Sequence, residues 1–211
     1  RLSHALAPGL SDLSGRLSRR PSESGMANGG GKLLIVCCAE EGGGGARLLQ
    51  DEFGKRLGCE VAIGESDEFT WRDEVASATR GVVLLQTKSV LHNPIRLLQL
   101  YEANELGFSL VCVNVVGGGY DFASIKPLLH SLPTELSQAE IAVLRAELVV
   151  LGKGVGQLAT RLGNAIPNAI SVFFNPGAGA VMVDAAIADI VDKLGRNSKL
   201  LESDALQEEE P

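Results

Sequence analysis

The segment from Gly81 to Phe122 constrains the fold most strongly, because two short apolar runs flank an amphipathic stretch. The runs Val82–Leu85 and Leu110–Val116 are short and rich in Val and Leu, as is typical of buried parallel strands. Between them, apolar side chains recur near helical spacing at Leu97, Leu98, Tyr101 and Leu106. The pattern predicts a strand, a helix and a second strand.

Boundary signals support this helix. Asn93 is suited to cap its start, Pro94 suits its first turn, and Gly107 stands where a helix would stop. A strand–helix–strand unit of this length is the repeating element of a parallel sheet.

The same alternation extends along the chain. We predict further strands over 32–38, 59–63 and 169–174, and further helices over 46–57, 72–80, 123–132, 137–150, 157–165 and 181–194. Ser137 and Glu140 have the spacing of a capping box. About five strands alternating with helices predict an α/β fold, a flavodoxin-like three-layer sandwich.

Two glycine-rich segments invite a comparison with phosphate-binding loops. Residues 39–45 (AEEGGGG) are predicted to form a loop between the first strand and the first helix, a geometry that presents backbone N–H groups to an anion. Neither a Lys-Ser/Thr pair nor a G-x-G-x-x-G pattern follows, so a simple flexible turn is an equal alternative. Residues 152–156 (GKGVG) are interpreted as a joint between two helices.

Composition excludes several classes of function. The net charge is -7 and no long basic run occurs, which argues against a nucleic-acid partner. No apolar run is long enough to span a membrane. The four cysteines lack metal-ligand spacing, so we expect buried thiols in a reducing compartment, no metal site and a cytoplasmic protein.

The ends of the chain differ from its middle. Residues 1–31 contain Ser, Gly, Pro and Arg and little to bury, which predicts a disordered leader. Residues 32–195 are the predicted domain. Residues 196–211 end with Glu208-Glu209-Glu210-Pro211, which predicts an acidic disordered tail.

The central segment resembles the Toll/interleukin-1 receptor (TIR) domain family. In that family a strand ends in a polar Ser/Thr-x-x-Tyr/Val-Leu turn, which residues 86–91 (QTKSVL) resemble here. The helix that follows usually contains Leu-Glu-Leu, whereas this chain has Leu98-Gln99-Leu100. The resemblance is specific over residues 81–122 and weaker over 32–194. It implies the strand order 2-1-3-4-5.

The resemblance also implies two different functions. TIR domains associate with one another in signalling, and some cleave the bond between nicotinamide and ribose in NAD. The carboxylate that serves this reaction would correspond to Gln99, whose amide carries no charge. Glu102, one turn further on, is a possible replacement or a solvated helix-edge residue. NAD is therefore a possible substrate, and no cofactor is required.

Two further sets of residues follow from the resemblance. In an enzymatic member, the segment with Glu40, Gly42, Gly43 and Gly44 would line the ligand cleft. In an association module, the loop after the second strand would contact another TIR domain or a second copy of the chain, through Asp67, Phe69 and Trp71. The alternative for Trp71 is packing at the start of the next helix.

A phosphorelay receiver domain of similar fold is a weaker third possibility. Such domains need an aspartate at the end of the third strand. Gln86-Thr87 occupies that place here.

Overall fold

The computed structural model describes residues 31–64 and 70–207, with the backbone alone described over 197–207. Five parallel strands form one sheet in the order β2-β1-β3-β4-β5. The strands are β1 (Lys32–Val36), β2 (Glu60–Ile63), β3 (Gly81–Gln86), β4 (Leu110–Val115) and β5 (Val172–Phe174). The predicted α/β class and strand order are confirmed.

The helices in this part of the chain cover both faces of the sheet. They are α1 (Ala39–Leu57), α2 (Trp71–Ser77), α3 (Pro94–Glu105), α4 (Phe122–His130), α5 (Leu132–Glu135), α6 (Gln138–Val150), α7 (Val155–Ala165) and α8 (Ala180–Gln207). A single 3-10 turn, Val90–His92, precedes α3.

Successive strand residues point to opposite faces, and this alternation divides the core in two. Leu33 and Ile35 of β1 pack in the cluster that α1 and α8 cover. Leu34 and Val36 pack in the cluster formed with α2 to α7. Every residue of β3 is buried, as expected of a central strand covered by helices on both sides.

Helix α3 begins where its sequence signals predict. The Asn93 side chain accepts hydrogen bonds from the backbone N–H groups of Ile95 at 2.9 Å and Arg96 at 3.2 Å, and Pro94 is the first helical residue. Gly107 follows the helix with φ +71°, a conformation that favours glycine. Leu106 lies beyond the helix end and is 48% exposed, so it does not continue the buried face of Leu97, Leu98 and Tyr101.

The predicted loop over residues 39–45 is wrong, because α1 already begins at Ala39. Its four consecutive glycines form helical backbone despite their poor intrinsic propensity. Gly42 and Gly45 are buried on the sheet side, and a Cβ at Gly45 would lie 3.4 Å from Phe174 Cε1. Packing against the sheet therefore outweighs local preference at this end of α1.

The other boundaries differ at the chain ends. Helix α8 continues to Gln207, so the prediction that disorder begins at residue 196 is wrong for the backbone of residues 196–207. Residues 1–30 and 208–211, predicted as leader and tail, lie outside the described residues. The predicted capping box of α6 is confirmed, with Ser137 and Glu140 bonding each other's backbone N–H groups.

Candidate functional site

Gln99 is fully buried, at 0% exposure, on the side of α3 that faces α2 and the carboxyl end of β2. Its Oε1 accepts a hydrogen bond from Arg96 Nη1 at 3.0 Å, and its Nε2 donates to Glu74 Oε2 at 3.1 Å. A Cβ placed on Gly64, the residue after β2, would lie 2.8 Å from Gln99 Nε2. The amide is therefore held between a cation, an anion and a close-packed glycine.

This arrangement fits an amide better than a carboxylate. An amide donates to Glu74 and accepts from Arg96 at the same time, whereas a carboxylate only accepts. A glutamate at position 99 would keep the attraction to Arg96 and place a second negative charge beside Glu74. Glu74 lies 25 residues before Gln99 in the sequence, and no local pattern predicts their pairing.

Glu102, the other predicted catalytic residue, has different neighbours. It is half-buried, and burial raises the pKa of its carboxyl group; the charge of Glu105 also raises it, while the charges of Arg72 and Lys153 oppose the shift. Gln99 is instead bonded to Arg96 and Glu74. The two predicted catalytic side chains thus lie on one helix in separate electrostatic environments.

The predicted ligand-binding segment forms the first turns of α1 and lies beside the carboxyl end of β3. Glu40 and Gly44 are exposed, and a Cβ at Gly43 or Gly44 would meet nothing within 4 Å. A Cβ at Gly42 would lie 3.5 Å from Thr87 Cγ2, so Gly42 faces the sheet. These residues occupy an open helical turn instead of a loop around a cleft.

Glu41, which no sequence pattern singled out, connects this turn to the residues after β3 through hydrogen bonds. Its carboxylate accepts hydrogen bonds from the backbone N–H of Ser89 at 2.8 Å and from Ser89 Oγ at 2.6 Å. Burial opposes ionisation, but these bonds and the nearby Lys88 charge outweigh it and lower the pKa of Glu41. An acidic residue in the first turn of a helix is the one signal that could have drawn attention to it.

Trp71 opens α2 and is 1% exposed. Its indole Nε1 donates to Glu147 Oε2 at 3.1 Å, and the guanidinium of Arg72 lies 5.1 Å from the centre of the Trp71 ring and 2.7 Å from the same carboxylate. The alternative of packing at the start of the next helix is therefore confirmed for Trp71, and its part in an interface stays a prediction. Asp67 and Phe69, the other predicted interface residues, lie outside the described residues.

A shallow groove of about 480 Å³ lies between α3 and α7, next to the Gly152–Gly156 joint. Its charged residues are Glu105, Lys153 and Arg161, with Glu105 lying 2.9 Å from Lys153 and 3.3 Å from Arg161. Neither Gln99 nor the first turn of α1 lines this groove. The groove therefore does not unite the residues that the sequence singled out.

Within the described ranges, no three His, Cys, Asp or Glu side chains cluster in a way that could hold a metal ion. No helix over the same ranges has the length and apolar character needed to cross a membrane. All four cysteines are free thiols, three of them buried. No family model matches the chain, and no curated protein matches it either.

Proposed function

We propose that this chain is a non-catalytic TIR-like signalling module that acts by associating with a second copy of itself or with another TIR domain. The observation that carries the proposal is the state of Gln99. A neutral amide, fully buried and bonded to Arg96 and Glu74, stands where the resemblance expects a carboxylate facing a ribose. Losing a well-placed charge costs a few kcal/mol of barrier, or roughly a hundredfold or more in rate.

The edge of the sheet supports the association half of the proposal. Strand β5 is an edge strand, and Phe173 at its centre is 71% exposed, while Val172 and Phe174 on either side are buried. Edge strands are usually protected by charged residues or proline, and an exposed aromatic group on an edge suits a protein partner.

The association proposal is tested by the concentration dependence of molecular mass, measured by sedimentation and by light scattering. We expect the unmodified chain to self-associate, and Phe173→Asp to weaken self-association by about tenfold or more, or about 1.4 kcal/mol. Val149→Asp is the matched control, because Val149 is 72% exposed on α6. A strictly monomeric chain, or equal loss in both variants, would show that the β5 edge is not a self-association surface.

The alternative function, NAD hydrolysis, is tested separately by nicotinamide release. We expect no turnover by the unmodified chain at high protein concentration. Gln99→Glu combined with Glu74→Gln restores a carboxylate without a second negative charge beside it, and is the variant best placed to acquire turnover. Turnover by the unmodified chain that Glu102→Ala abolishes would make this protein an enzyme with its carboxylate one turn further along α3.

A further inference from the structure

A second cavity, of about 310 Å³, lies at the amino end of the sheet, away from Gln99 and from α3. It lies between the start of β4, the segment before β5 and the middle of α8, and it is partly open to solvent. Its lining consists of Leu110, Val111, Ala169, Ile170, Lys193 and Arg196. The volume is at the lower end of the range for small-molecule sites.

The lining combines an apolar wall with two cationic groups. Arg196 is 67% exposed and is paired with Asp192 one turn earlier on α8, so its charge is largely neutralised there. Lys193 differs because its side chain is only 25% exposed. A lysine buried to this extent normally has close oxygen partners.

The contacts of Lys193 are long. Its Nζ donates to the backbone carbonyl of Ile170 at 3.4 Å and lies 3.9 Å from Asp189 Oδ2. A charge-assisted hydrogen bond between an ammonium and a carboxylate is normally about 2.7–2.9 Å long. Lys193 therefore retains the capacity to bind a closer anionic oxygen at the cavity.

One buried hydroxyl group lies next to the cavity lining in the sequence. Ser109 precedes Leu110 and is 5% exposed. Its Oγ has no hydrogen-bond partner among the described residues. By strand alternation Ser109 points to the same face as Val111, which lines the cavity. A buried hydroxyl without a partner is costly, and a bound oxygen atom would satisfy it.

We propose that this cavity binds a small amphipathic carboxylate, with the carboxylate group at Lys193 and a short apolar chain against Leu110, Val111 and Ile170. The head group would supply the close oxygen that Lys193 lacks, and the chain would cover the exposed Ile170 side chain. Asp189 and Asp192 restrict the site to ligands of low negative charge, because each added charge is repelled by these carboxylates.

The test is a titration of the full chain with octanoate, followed by backbone amide NMR shifts, with octanol and inorganic phosphate in parallel. We expect saturable shifts for residues 109–111, 169–171 and 193–196 with octanoate, and binding about tenfold weaker or absent with the other two probes. If octanol binds as tightly as octanoate, Lys193 does not bind the carboxylate. If phosphate binds as tightly as octanoate, the apolar wall does not contribute to binding. Either result overturns the proposal, as does an absence of shifts with octanoate.

Lys193→Gln provides the second arm of the test. We expect it to weaken octanoate binding by about tenfold, while Lys126→Gln, an exposed lysine on α4, leaves it unchanged. Unchanged binding by Lys193→Gln overturns the proposal. A melting curve confirms that each variant is folded. Self-association of Lys193→Gln should match that of the unmodified chain, so failure here is distinguishable from failure of the association proposal.

Discussion

The two sides of the sheet's carboxyl end differ in how closely their residues pack and in how completely their polar groups are hydrogen-bonded. On the α2–α3 side, Gln99 is fully buried between Arg96, Glu74 and the backbone of Gly64. On the α1 side, Gly44 is exposed and a side chain there would meet open space. The contrast implies that the described neighbours of Gln99 leave no room for added volume, whereas the start of α1 tolerates a larger side chain without any movement.

The largest effect on the free energy of unfolding is expected at Trp71, a large, fully buried apolar side chain on the tightly packed side. Trp71→Ala removes a fully buried ring and its bond to Glu147, and should reduce the free energy of unfolding by about 3–5 kcal/mol. Urea unfolding measures this, and Trp71→Phe should recover more than half of the loss. An unchanged urea midpoint with lost self-association would instead return Trp71 to the role of an interface anchor.

Gly64 tests whether the Gln99 amide is held rigidly. Gly64→Ala places a Cβ 2.8 Å from Gln99 Nε2, and because that amide is buried and bonded on both sides we expect a loss of about 2 kcal/mol. In a Gln99→Ala background the penalty should fall below about 1 kcal/mol, since the opposing atoms are gone. Equal penalties in both backgrounds would mean that the amide moves aside freely.

How well the sequence predicts each side of the sheet's carboxyl end depends on how far apart in the sequence the interacting residues lie. Asn93, Pro94 and Gly107 act locally, and they placed α3 correctly. Gln99 was identified from the TIR resemblance, but its partners Glu74 and Gly64 come from other elements and carry no local signal. The alternation of strands and helices predicted the fold class, while the strand order came from the TIR resemblance.

The glycine run at the start of α1 was predicted wrongly for the same reason. Four consecutive glycines indicate a loop when only local propensity is considered. A Cβ at Gly42 would lie 3.5 Å from Thr87 Cγ2 and one at Gly45 would lie 3.4 Å from Phe174 Cε1, so these glycines pack closely against residues from distant parts of the sequence. Trp71 was likewise ambiguous, because the hydrogen-bond partner of its indole, Glu147, lies 76 residues further along the chain.

Ser89 tests a polar contact that joins α1 to the residues after β3. Ser89→Ala removes the Oγ bond to Glu41 and should cost about 1 kcal/mol near neutral pH. Because the folded state lowers the pKa of Glu41, this stabilisation is present above the usual carboxyl range and is lost as the pH falls through the lowered pKa. The difference from the unmodified chain should therefore shrink in acid.

The matched control for this pH dependence is Ser124→Ala. Ser124 Oγ donates to the backbone carbonyl of Asp121, an acceptor that does not titrate. Its effect on the free energy of unfolding should be the same at neutral and acid pH. If the effect of Ser89→Ala on the free energy of unfolding is also independent of pH, the stabilisation by this contact does not depend on the charge of Glu41.

The smallest effect, and the only stabilising one, is expected on the open side of the comparison. Gly44→Ala adds a side chain that meets nothing within 4 Å at an exposed helical position, so it should raise the free energy of unfolding by about 0.5–1 kcal/mol. Gly58→Ala at the other end of α1 is the contrasting variant, because Gly58 has φ +58° and alanine is strained there. A lower urea midpoint for Gly44→Ala would mean that this turn needs glycine, as a ligand-binding loop does. The two sides of the sheet's carboxyl end would then differ less than their packing implies.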